Sequence, residues 1–133
     1  MKKYLIAAGT LLSMTTPALA HHPLAGAPME TFLHGVLSGI GHPILGFDHL
    51  FFIALVGIAA LYTGHRRVAP GAYIAAMLAG TLAISLGLAL PAAEIVIGLS
   101  LLILGAVVLS GRALGFGPAL ALFALFGLFH GAA

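Results

Sequence analysis

The chain is 133 residues long, 62% hydrophobic and only 6% charged, with a formal net charge of +2. Ordinary soluble domains carry roughly a quarter charged residues, so this composition excludes a surface built mainly for water. Five dispersed basic side chains against three acidic ones exclude a nucleic-acid surface. The absence of cysteine excludes disulfides, iron–sulfur clusters, thiolate zinc sites and cysteine nucleophiles.

Lys2 and Lys3 precede an apolar run from Tyr4 to about Met14, followed by Pro17 and Ala18-Leu19-Ala20. A basic start, a short apolar core and small residues before a cleavage point predict a cleavable secretory signal over residues 1–20. The run is short for an uncleaved span. Cleavage after Ala20 would expose His21-His22-Pro23. That new terminus is either a weak metal-capturing site or a plain polar tail.

Thr31 to Tyr62 is largely apolar but interrupted by Gly39, Gly41, Pro43 and Gly46. As one straight helix it would be about 48 Å long, beyond a hydrocarbon core of about 30 Å, so a break is expected. Pro43 suits a first helical position with His42 as N-cap. The expectation is a short amphipathic or re-entrant piece around Glu30–Ile40, then a full span over about 43–62. Further apolar runs predict spans over about 71–90, 92–110 and 113–133. The expected fold is therefore all-α, a polytopic transmembrane helix bundle of about four spans in residues 21–133, with the broken helix ahead of the first. Small residues at four-residue spacing (Ala75, Ala79, Ala83, Gly87, and again Gly127, Gly131) predict close helix approach.

A cleaved signal puts the mature amino terminus outside, as for a multi-pass protein of the bacterial inner membrane with a periplasmic start. Arg66, Arg67 and Arg112 then fall on the cytoplasmic side, in accord with the positive-inside rule. The same threading sends Glu30, Asp48, Glu94 and every histidine except His65 toward the outer face. An outward-facing vestibule that attracts cations is expected.

The centre of that vestibule is His42-Pro43-Ile44-Leu45-Gly46-Phe47-Asp48-His49. Ionisable groups are costly in hydrocarbon, so three within eight residues point to function rather than to a polar knot locking a kink. Imidazole with carboxylate is ligand chemistry for nickel, cobalt and zinc. On one continuous helix His42 and His49 would lie about 10 Å apart, so either the segment folds to unite them or they serve successive positions. Asp48 is either a ligand or the acceptor of a ligating histidine's second ring proton. His130 is either a packing histidine or a ligand. Glu94 either stabilises the first turn of its helix or extends the site. His34 either lines the vestibule or sits at the lipid boundary. Candidate metal residues are thus His42, Asp48, His49 and His130, with His21, His22, His34 and Glu94 in reserve. His49 and His130 could also be axial haem ligands, though Asp48 argues against it. No nucleophile–base spacing or phosphate-binding loop suggests an enzyme or nucleotide use.

The chain resembles the HupE/UreJ family through His42-Pro43-Ile44-Leu45-Gly46-Phe47-Asp48-His49, through Phe129-His130-Gly131, and through Phe32-Leu33-His34-Gly35-Val36-Leu37-Ser38-Gly39 ahead of the first motif. The resemblance implies nickel uptake, or cobalt uptake, for hydrogenase or urease, by secondary permeation without ATP. It implies that His42, Asp48 and His49 are critical, with His130 contributing. The metal would be a transported substrate and no resident cofactor is expected; the other partners would be the bilayer and a second copy or further membrane components. A non-transporting metal-binding accessory protein is the alternative. Family members continue past Phe-His-Gly, so the end at Ala133 is expected to mark a C-terminally truncated member.

Overall fold

The computed structural model of the chain describes residues 30–133. The expected signal over 1–20, and His21 and His22, lie outside the described residues. Five α-helices and no strand make up the described residues: α1 (Phe32–Leu45), α2 (Phe47–Leu61), α3 (Ala69–Ser85), α4 (Ala93–Leu109) and α5 (Phe116–Gly131). The all-α expectation holds. The chain divides into two compact units at Gly46, one ending there and the other spanning Phe47–Ala133.

In the first unit, Thr31 caps α1 by accepting the His34 backbone N–H at 3.1 Å. The His34 ring returns the favour, its Nδ1 accepting the Glu30 N–H at 3.3 Å. The first bond satisfies a donor that a helix start leaves orphaned, and the second ties the residue before the cap to the first turn. Pro43 lies inside α1 rather than at the start of the next helix. Lacking an N–H, it cannot bond back to the preceding turn, and α1 ends two residues later. The break falls at Gly46, whose backbone is extended and whose N–H donates to the His42 carbonyl at 2.8 Å. His34, Ser38 and His42 follow one another at four-residue spacing on the less exposed face of α1. Phe32, Leu33, Leu37, Ile40 and Ile44 are exposed. That is the reverse of a helix made for water.

In the second unit, α3 packs most extensively on α5, and α2 on α4. The α3–α5 contact depends on glycine. A Cβ on Gly131 or Gly80 would strike backbone of the facing helix, and one on Gly127 would sit 2.6 Å from the Tyr73 carbonyl oxygen. The close approach thus uses Gly127 and Gly131, as expected, but opposite Tyr73, Met77 and Gly80. Ala75 and Ala79 are exposed. Helix α3 stops in a Schellman turn: Gly87 takes a positive φ of 82°, and Leu88 N–H reaches the Ala83 carbonyl at 2.9 Å.

Phe52, Val56, Tyr73, Leu104, Phe123 and Phe126, with Ala59, Ala60, Ala69 and Ala119, form the core. His65 stacks on Phe116 with ring centroids 4.0 Å apart, which ties the α2–α3 loop to the start of α5 at one end of the unit. Arg66 and Arg67 lie in that loop, and Arg112 in the α4–α5 loop. The α3–α4 turn and exposed Glu94 occupy the opposite end, and Glu94 sits on the first turn of α4 where its charge suits the helix dipole.

Among the described residues no single helix is long and apolar enough to cross a membrane. The expected spans of about twenty residues are instead helices of 15 to 17 residues. Only the pair α1 and α2, broken at Gly46, passes that length and composition test together.

Candidate functional site

Helix α2 begins with Phe47-Asp48-His49, and the Asp48 Oδ1 accepts the His49 backbone N–H at 2.9 Å. This carboxylate closes an orphan donor in the first turn and meets the positive end of the helix dipole. The contact lies in the first turn of α2, immediately ahead of the His49 ring. His49 is 4% exposed.

His130 enters from the last turn of α5 and is 2% exposed. Its Nδ1 lies 2.8 Å from the Nδ1 of His49, with the rings nearly perpendicular. Its Nε2 lies 2.9 Å from the Ser100 hydroxyl, which also donates to the Ile97 carbonyl at 2.6 Å. Phe52 stacks on the His130 ring, centroids 4.3 Å apart and planes 21° from parallel. Tyr73 closes another side, its ring 6.1 Å from His130 and its buried hydroxyl without a hydrogen-bond partner in the structure.

The imidazole pair is therefore enclosed rather than set in an open vestibule. Ser100 stands two turns into α4, so the pair lies about 10 Å along the axis from the α3–α4 turn. A cleft of about 110 Å³ lies instead toward the arginine-bearing end, between the C-terminal parts of α2 and α4, with Arg112 and Tyr62 in its wall.

Of the residues singled out in the sequence, the structure brings His49 and His130 together, with the Asp48 carboxylate on the His49 backbone N–H in the first turn of α2. Glu94 stays exposed at its helix start. His34 is engaged in the α1 cap, and His42 sits half-buried in the last turn of α1. Among the described residues no group of three or more histidine or carboxylate side chains is arranged to hold a metal ion. The two imidazole nitrogens are in hydrogen-bond contact, closer together than axial ligands on opposite faces of a haem would stand.

Sequence reasoning missed Ser100, Phe52 as a stacking partner, and Tyr73. Ser100 carried a signal: it is the one polar side chain between Glu94 and Ser110. Phe52 and Tyr73 carried none that distinguishes them from packing residues.

A small all-α bundle with a buried histidine pair at its centre and aliphatic side chains on its outside defines the class of molecule. Comparison with known proteins gives the family. The model of the HupE / UreJ protein family matches residues 9–133, and the chain belongs to that family. It is 32% identical over 108 residues to Protein HupE of Rhizobium leguminosarum bv. viciae, a match that covers 80% of this chain and 54% of that protein. The chain thus spans about half the length of the curated relative it matches. No solved structure matches it.

Proposed function

We propose that this chain moves a divalent transition-metal cation, nickel or cobalt, across the bacterial inner membrane, and that His49 and His130 take the ion in the middle of the bundle. The observation that carries the reading is the 2.8 Å contact between their Nδ1 atoms inside an otherwise apolar core. Two imidazole nitrogens that bind one borderline divalent cation at about 2.1 Å and at right angles stand about 3 Å apart. To exchange its hydrogen bond for a shared ion the pair must separate slightly, and the donating Nδ1 must give up its proton, to water or to the Nε2 position of the same ring. Two ligands with water completing the shell would hold the ion loosely, as passage requires. Asp48, one residue away at the start of α2, contributes negative charge. Transport is secondary, since no phosphate-binding loop is present in the sequence.

The membrane assignment is supported by an exterior rich in large apolar side chains, with several polar groups buried. Ser38, His49, Thr63, Ser100 and His130 are buried, whereas Phe32, Leu78, Leu86, Leu102 and Leu109 are among the large apolar side chains exposed. Apolar surface on this scale marks contact with lipid or with another protein. In this reading residues 1–20 are a signal peptide, and the arginine-bearing loops face the cytoplasm.

Purified protein sealed into lipid vesicles is expected to accumulate radiolabelled Ni²⁺. His49→Ala and His130→Ala should each reduce the rate at least about tenfold, as expected when an ion's ligand is removed. Nickel bound to the wild-type protein but never delivered to the vesicle interior would favour the accessory role. Uptake undiminished in both variants contradicts the site.

A further inference from the structure

Ser100 does more than fill the space beside His130. Its hydroxyl has one proton, and the Ile97 carbonyl 2.6 Å away can only accept it. Toward the His130 Nε2 at 2.9 Å the hydroxyl oxygen is therefore the acceptor, and Nε2 must carry the hydrogen. A neutral imidazole has one N–H, so the His130 Nδ1 presents a bare lone pair. That lone pair faces the His49 Nδ1 at 2.8 Å, and the donor in this contact is His49. A single backbone carbonyl on α4 thus sets the direction of three hydrogen bonds: His49 Nδ1–H to His130, His130 Nε2–H to Ser100, and Ser100 O–H to Ile97.

We propose that Ser100 is a positioning residue that locks His130 in its Nε2–H tautomer, so that Nδ1 is the nitrogen offered to a cation. The inference rests on the reading of the histidine pair as the ion's site and adds what prepares it. Metal-ligating histidines commonly donate their second ring N–H to an outer partner, which fixes the tautomer and orientation and makes the ligating nitrogen more basic. The hydroxyl suits this role because it is fully buried, and because donating to Ile97 strengthens it as an acceptor.

The test uses the full chain in lipid nanodiscs with ¹⁵N-labelled histidine, the His130 signals being assigned by their loss in His130→Ala. In the metal-free wild-type protein Nε2 should be protonated and Nδ1 bare; the opposite tautomer overturns the proposal without any variant. Ser100→Ala should populate both tautomers and weaken binding of Ni²⁺ alone by about 10–100-fold, while Ser100→Thr keeps the wild-type tautomer and an affinity within about threefold. A Ser100→Ala protein with an unchanged tautomer, or a threonine variant indistinguishable from alanine, overturns it. Because the tautomer is read without metal, failure here is separable from failure of the transport reading, which the vesicle assay decides.

Discussion

A histidine side chain in an apolar core must have its ring nitrogens satisfied or it costs the fold free energy. His49 and His130 meet that demand in part through each other, and Ser100 completes it for His130. The motif around His49 made that residue legible from the sequence, because ionisable groups at the edge of an apolar run stand out. His130 was legible as a candidate, and the two histidines were paired only as possible haem ligands, since nothing local states that their rings will touch. Ser100 was hidden for a physical reason: a serine in an apolar helix ordinarily bonds back to its own preceding turn. Ser100 does this as well, and its second role depends on the register between α4 and α5. The role of accepting a ligating histidine's second ring nitrogen, open to Asp48 in the sequence, falls for His130 to Ser100, while the Asp48 oxygen accepts the His49 backbone N–H.

At the scale of elements, apolar runs announced the helices of the second unit, but their ends depended on turn chemistry. Pro43 read as a helix start and is instead the last-turn residue that ends α1, with Gly46 as the break. Proline suits both settings, and only the neighbouring residues' pairing decides between them. Alanine stripes could not be ranked by sequence because alanine packs and faces lipid equally well. Glycine was more informative, as only the absence of a side chain lets α3 and α5 touch at Gly80, Gly127 and Gly131. Gly131→Ala should therefore cost the second unit at least about 1–3 kcal/mol, because the added methyl meets backbone that cannot rotate away. Gly98→Ala, at a site with nothing within 4 Å, should instead be neutral or stabilising by up to about 1 kcal/mol. Denaturant unfolding in detergent measures both, and equal destabilisation by the two would refute the α3–α5 packing.

For the whole molecule, composition alone announced a chain unsuited to water, and the structure shows large aliphatic side chains exposed on its outside while His49, His130, Ser38 and Ser100 are buried. The threading of charges was legible too, because Arg66, Arg67 and Arg112 fall in loops at the end where His65 stacks on Phe116. The expected open vestibule was not, since burial of a pair is a property of packing. Cysteines introduced at Arg66 and Glu94 should react with an impermeant thiol reagent from opposite sides of the membrane, and labelling of both from one side would refute the proposed orientation. The account stands or falls, however, on whether the two buried imidazoles share a cation. Nickel X-ray absorption on the loaded protein tests that directly. It should show imidazole scattering from two nitrogens at about 2.1 Å, reduced in both His49→Ala and His130→Ala. A nickel shell of oxygen alone, or a spectrum unaltered by either substitution, would contradict it.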